Sequence, residues 1–298
     1  MLLIGLLVFA GLVFLALLAM LGKAAWIARQ FTFSHRVPVY GHPSQFGLVL
    51  EDATFPSRHD KIPLSGWYLP ASPDDRCIIL IQGEEHHRNS PGIRALQLGR
   101  DLVQRGFSVL LFDFRGRGES GGARSSAGDR EQWDVLGAID YVTSRGIPVE
   151  RIGLLGFSLG AAVAIMVAAR EPRVPAIVSD SGFLDTLIGL RKVSFYRFRF
   201  PSWYAYAIAF AGGVFFNANL SKVRPIKVVG SITQPIFFIH GQEDPVIPFG
   251  ETEALHRASG NDQDQVWIVP GSGHVNSYRL RPEEYSARVA GFFEQHIG

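Results

Sequence analysis

One short stretch limits what this chain can become. Ile152-Gly153-Leu154-Leu155-Gly156-Phe157 is an apolar run that reads as a buried strand, and the alanine-rich run from Leu159 to Ala169 reads as a helix. Ser158 stands between them, on a turn of the form G-x-S-x-G. Glycine on either side permits a corner so sharp that flanking side chains would collide with neighbouring backbone. Such a turn lifts the Ser158 hydroxyl clear of the sheet. The amide of Leu159, first in the helix, points toward any negative charge that develops beside it. Ser158 is therefore the candidate nucleophile, and Leu159 supplies a candidate oxyanion amide.

A chain of 298 residues, 47% hydrophobic and 12% aromatic, can bury one large core, or one core with a small appendage. The net charge of +2, with both signs intermixed, gives no basis for a nucleic-acid partner. Cys77 is the single cysteine, so an internal disulfide and a cysteine-ligated zinc site are both excluded. Function has to come from a local site.

From Leu2 to Gly22 no side chain is charged or strongly polar, and at about 1.5 Å per residue the run spans roughly 30 Å of hydrocarbon. Residues 1–24 are expected to form a transmembrane anchor, and residues 25–44 a linker. A cleaved signal peptide is the rival, since Gly22-Lys23-Ala24 offers small residues, but no Lys or Arg precedes the run and the run exceeds a signal core. Lys23, Arg29 and Arg36 lie on its far side, which by the positive-inside tendency keeps the rest of the chain cytoplasmic. Trp26, Phe31 and Phe33 read as an interfacial collar.

Beyond the linker, residues 45–298 read as one α/β domain. Segments from Phe46 to Phe55 and from Ile62 to Leu69 flank a polar turn and predict an antiparallel hairpin. Strands then alternate with helices: Cys77 to Ile81, a helix around Gly92 to Arg105, Ser108 to Phe112, and a helix near Gln132 to Ser144. The strand runs are too continuously apolar for one-sided burial, so the sheet is mostly parallel with helices on both faces. Active groups in such sheets come from loops at the carboxyl ends of strands.

The chain resembles an alpha/beta-hydrolase over nearly all of Phe46 to its end. Besides Gly156-Phe157-Ser158-Leu159-Gly160, the run Asp113-Phe114-Arg115-Gly116-Arg117-Gly118-Glu119-Ser120-Gly121 resembles the D-x-R-G-x-G-x-S-x-G loop of that superfamily. Its membrane-anchored serine hydrolases and the dienelactone-hydrolase-like esterase group are the most similar in pattern. Asp113 and Arg115 are expected to hold their loop together by ion-pair and backbone contacts. A phosphate-cradling loop is the alternative, and it lacks a G-K-[ST] ending.

A serine hydroxyl needs a base, and the base needs an acid to fix its tautomer. Asp244 follows the strand Ile236-Phe237-Phe238-Ile239-His240, and His274 ends the glycine-rich Pro270-Gly271-Ser272-Gly273-His274 after the strand Val266 to Val269. The order Ser158, Asp244, His274 is the one expected of this fold. Asp180 is a rival acid, and His240 reads as a packing histidine.

Where the resemblance implies His-Gly after the strand ending at Ile81, this chain has Gln82-Gly83-Glu84-Glu85-His86-His87-Arg88. The amide of Glu84, or that of Glu85, is the second oxyanion candidate. Two carboxylates beside a developing anion would raise its energy unless turned away or paired, with Arg88 as the expected partner. A metal site of Glu84, Glu85, His86 and His87 is disfavoured because adjacent residues rarely converge on one ion. No metal or organic cofactor is required.

Residues 183–233 exceed a simple crossover and read as a lid. Within it, Arg191 to Phe200 interleaves cations and aromatics, and the apolar run from Trp203 to Phe216 suits a core helix or one at a membrane surface. The final segment, Glu283 to Ile297, predicts an amphipathic helix. The expected function is a membrane-anchored serine hydrolase that cleaves carboxylic esters or thioesters through an acyl-enzyme, with a small-molecule or acyl-chain substrate and lipid as partners. A peptidase or carbon-carbon hydrolase on the same three residues is one alternative. A degenerate, membrane-tethered binding module is the other.

Overall fold

In the computed structural model, which describes residues 1–34, 36–41, 44, 47–73, 75–84, 87–196 and 198–298, the chain begins with one long helix, α1 (Leu2–Thr32). There follow β1 (Glu51–Pro56), β2 (Pro63–Leu69), β3 (Cys77–Ile81), α2 (Ala95–Val103), β4 (Ser108–Phe112), α3 (Glu131–Ser144), β5 (Ile152–Phe157), α4 (Leu159–Ala168) and β6 (Ala176–Asp180). The second half holds α5 (Thr186–Tyr196), α6 (Tyr204–Phe216), α7 (Pro225–Val228), β7 (Ile236–Gly241), α8 (Gly250–Ser259), β8 (Gln265–Val269), α9 (Ser277–Leu280) and α10 (Pro282–His296). Phe46, Glu85 and His86, each given a part in the sequence reading, lie outside the described residues.

The eight strands make one sheet in the order β1-β2-β4-β3-β5-β6-β7-β8. The predicted hairpin is present, with β1 antiparallel to β2 and β2 antiparallel to β4. From β4 onward every pairing is parallel. Period-two alternation explains the unbroken apolar runs. Cys77, Ile79 and Ile81 enter the core beneath α3 and α4, while Ile78 and Leu80 enter the one beneath α2 and α10. Each fully buried Ile or Leu there contributes about 1.5–3 kcal/mol of transfer free energy.

The glycine-rich loop after β4 is tied down as expected, with Arg115 and Asp113 each held by partners outside the run or by its backbone. Arg115 is 2% exposed and reaches Asp134 on α3 (2.6 Å), Asp60 (2.7 Å) and Ser57 Oγ (3.0 Å) in the β1–β2 turn. Asp113 accepts from the Arg88 amide at 2.5 Å, from Arg88 Nη1 at 2.8 Å and from the Glu119 amide at 3.0 Å.

At the N-terminus the helix outlasts the expected anchor. An 18-residue window of α1 has mean hydropathy 3.0 and is 0% buried. Residues 25–32, expected as linker, continue the same helix, where Ala24, Ile27, Ala28 and Thr32 are buried. The cover is α6. Tyr204 at its start donates to the Met20 carbonyl, while Phe216 at its end and Thr32 share Arg124. The two helices therefore run side by side in the same sense. One face of α6 is spent on α1, and Tyr206, Phe210 and Val214 on the other are exposed. Of the predicted collar, Lys23 Nζ lies 4.0 Å from the Trp26 ring centroid and the Arg29 guanidinium 5.0 Å from that of Phe33.

Removing a partner from a buried ion pair leaves an uncompensated charge. Arg115→Met is expected to lower unfolding free energy by about 3–5 kcal/mol through the stranded Asp134. Denaturant titration of the purified protein measures it, and a loss under about 1 kcal/mol would contradict this role for the pair.

Candidate active site

The local strand-to-helix signal is realised as a strained turn. Ser158 has φ 53° and ψ −114°, a left-handed conformation that a residue with a Cβ adopts only when its surroundings over-determine it. They do so here by steric closure. A Cβ on Gly160 would sit 2.2 Å from the Ile81 carbonyl oxygen, and one on Gly156 would sit 2.3 Å from the Gly160 carbonyl oxygen. The turn is thus pressed against the end of β3. Its serine amide donates to Asp180 O at 2.9 Å.

Asp244 follows β7 and His274 follows β8, and their loops are joined. Gln242 N donates to Val269 O at 3.0 Å and Glu243 N to Ser272 O at 2.9 Å. The structure brings the three sequence-predicted residues into one relay: His274 Nε2 lies 3.0 Å from Ser158 Oγ, and His274 Nδ1 lies 2.7 Å from Asp244 Oδ2. Because Nδ1 faces a carboxylate, the network assigns the ring proton there and leaves Nε2 to accept from the serine hydroxyl. The His274 side chain is 20% exposed, so the relay is open to a substrate on one side.

The Asp244 side chain is fully enclosed. Burial works against its charge, but hydrogen bonds from His240 and His274 and from the amides of Ile247 (2.9 Å) and Val246 (2.8 Å) outweigh it and hold the carboxyl well below the usual range. His240 was expected only to pack. Its Nε2 sits 3.1 Å from Asp244 Oδ2 and 2.9 Å from Ile247 O, between two acceptors, so it carries a proton and donates toward the carboxylate. Nδ1 then accepts from Thr252 Oγ1 at 2.7 Å. A histidine one residue inside the end of a strand has no sequence signal for this task beyond its distance of four from Asp244.

The rival acid is occupied elsewhere. Burial pushes Asp180 up to about 6, with Ser181 Oγ (2.8 Å) and Tyr285 OH (2.9 Å) donating to it. Ser181 also accepts from the Val275 amide at 3.2 Å, bracing the turn that carries His274.

Around the second oxyanion candidate, the expected partner was wrong. Arg88 is taken by Asp113 and Glu119, and Glu84 pairs instead with Arg117 at 2.6 Å. Gln82, standing where the resemblance implies histidine, donates from Nε2 to Arg88 O at 3.3 Å and closes the loop on itself. His87 packs edge-on against Tyr40, away from the Arg117 contact that Glu84 makes. A cavity of about 640 Å³ lies between α6 and the β1–β2 turn, lined in part by His59, Arg130, Phe210 and Lys222, and none of the three relay residues lines it.

Residues 97–298 match the prolyl oligopeptidase family. Two bacterial relatives, both named as uncharacterized proteins, share the architecture of the sequence. YfhR of Salmonella typhimurium is 30% identical over 247 residues, spanning 78% of this chain and 76% of its own. YqkD of Bacillus subtilis is 28% identical over 241 residues, spanning 78% and 75%. Among solved structures, the esterase Pf2001 of Pyrococcus furiosus superposes with a TM-score of 0.73 at 24% identity, covering 90% of this chain and 100% of that one. Fold, elbow and match agree: the chain belongs to the prolyl oligopeptidase family and has the alpha/beta-hydrolase fold.

Proposed function

We propose that the protein is a serine hydrolase that cleaves carboxylic ester or thioester bonds through an acyl-enzyme. The observation that carries the reading is the Ser158–His274–Asp244 relay, with contacts of 3.0 and 2.7 Å. Ser158 Oγ attacks the substrate carbonyl carbon while its proton passes to His274 Nε2. Asp244 stabilises the imidazolium, and the amides of Leu159 and Glu84 receive the oxyanion. As the tetrahedral intermediate collapses, His274 returns the proton to the departing alcohol or thiol. Water then repeats the sequence and frees the acid and Ser158.

The esterase Pf2001, by its name, supports ester over amide substrates. The family name supports the second reading, peptide cleavage on the same three residues. A panel of p-nitrophenyl esters against fluorogenic peptides separates them.

The exposed apolar part of α1 supports a bilayer anchor, and the burial of Ala24, Ile27 and Ala28 against α6 argues that the helix is retained, since cleavage near Ala24 would uncover that core. Lys23, Arg29 and Arg36 favour a cytoplasmic domain. Because α6 runs alongside α1 away from the span, its beginning at Trp203 and Tyr206 lies nearest the lipid headgroups. That end of the lid is suited to receiving an acyl chain from the membrane.

Ser158→Ala is expected to abolish labelling by a fluorophosphonate probe and to lower kcat by about 10⁴-fold or more; retained labelling would remove Ser158 from the role. Asp244→Asn is expected to cost about 10⁴-fold in kcat through the wrong histidine tautomer. It also removes an acid-dependent stability term. The folded carboxyl titrates below its unfolded value, so its stabilisation is complete above about pH 4 and is lost as pH falls from there. Acid unfolding of the variant should be correspondingly less steep. Finally, the intact mass of protein purified from membranes is expected to include Met1 to Ala24, and a mass lacking them would overturn the anchor.

A further inference from the structure

We propose that Arg117 is a positioning residue for the oxyanion hole, gripping the Gly83–Glu84 peptide so that the Glu84 N–H faces the oxygen of the attacked carbonyl. The inference rests on the serine-hydrolase reading above and adds a part to it.

Arg117 is 4% exposed, and its guanidinium is fully engaged on one side. Nη1 donates to the Gly83 carbonyl at 2.7 Å, while Nη2 donates to Glu84 Oε1 at 2.6 Å and to Ser125 Oγ at 3.2 Å. Ser125 Oγ in turn donates to the same Glu84 oxygen at 3.2 Å. A trans peptide is planar, with its C=O and N–H pointing opposite ways. A clamp on the Gly83 oxygen therefore turns the Glu84 N–H to the side away from Arg117. Ser158 is close by, since a Cβ built on Gly83 would lie 3.5 Å from Ser158 Cβ and 3.5 Å from Phe157 O.

Two further effects follow from the charge. Positive charge on the carbonyl oxygen polarises the peptide and makes its N–H a stronger donor. The Glu84 carboxylate, which would oppose an anion forming next to its own amide, is held by Arg117 and Ser125 instead. A planar fork suits two acceptors lying in different directions, which one ammonium serves less well. The loop presents Arg117 through tight curvature around Asp113: Gly118 has φ 43°, and a Cβ there would sit 2.2 Å from Asp113 Oδ2.

The test uses the full-length protein, p-nitrophenyl acetate turnover and inhibition by a trifluoromethyl ketone, whose hydroxyl-bound adduct mimics the tetrahedral intermediate. Arg117→Met is expected to lower kcat by about 10²–10³-fold, the usual loss for one oxyanion donor, with KM changed less than about threefold and ketone affinity reduced to match. Added guanidinium at millimolar concentration is expected to recover part of the rate of Arg117→Ala. Should Arg117→Met fail to fold, Arg117→Lys is read in its place, with at least about a tenfold loss in kcat expected. Unchanged kcat, or a loss confined to KM and melting temperature, would overturn the positioning role. So would full recovery on adding Glu84→Gln to Arg117→Met, since Arg117 would then act only as a counter-charge. An inactive, unlabelled wild type would instead bring down the serine-hydrolase reading itself.

Discussion

The contact between the elbow and the end of β3 is the constraint from which the rest of the site follows. With Gly160 touching the Ile81 and Gln82 carbonyls and Gly156 touching Gly160, no side chain fits at either position. Ser158 is thereby pinned in a left-handed turn and displayed above the sheet. The same contact lays the Gln82–Glu84 turn beside the serine, so nucleophile and both candidate oxyanion amides are set by one packing event. Strain of about 1–3 kcal/mol at such a residue is tolerable because β5 and α4 on either side are wholly buried.

Arginines organise the loops around that point. Arg115 fastens the glycine-rich loop to α3 and the β1–β2 turn, Arg88 fastens it to the loop after β3, and Arg117 reaches back to Gly83 and Glu84. All three are nearly inaccessible to solvent. Each guanidinium meets at least one carboxylate, which is how the charge is tolerated in so dry a place. The acid side works by a different device: Asp244 draws two backbone amides and two imidazoles, and so stays charged without an arginine.

The N-terminal helix has two environments in one element. Its first part is a bare apolar cylinder, and its second part is a core helix of the domain through its packing on α6. The exposed apolar stretch and the packed stretch are therefore one continuous helix, with no irregular linker between Ala24 and Thr32. The helix α6 takes its direction from that packing.

Periodicity and glycine placement were enough to announce the sheet, its helices and the elbow, because each is a local pattern, whereas picking out Asp244 and His274 at their strand ends also leaned on the resemblance to alpha/beta-hydrolase loops. The hairpin, the parallel core and the closing helix α10 fall within a few residues of where apolar spacing puts them. Partnership was not legible. The sequence offers Arg88 and Arg117 as equal cations for Glu84, and only the fold decides, by giving Arg88 to Asp113 and leaving Arg117 over the Gly83 carbonyl. His240 likewise becomes a second donor to Asp244 only once the loop after β7 curls back over its own strand. The helix running on past Ala24 was hidden for a related reason: residues 25–32 are amphipathic only with respect to α6, far along the chain. Local spacing encodes which element a residue joins, whereas the meeting of charges separated by tens of residues is written in the strand order, which no single segment contains.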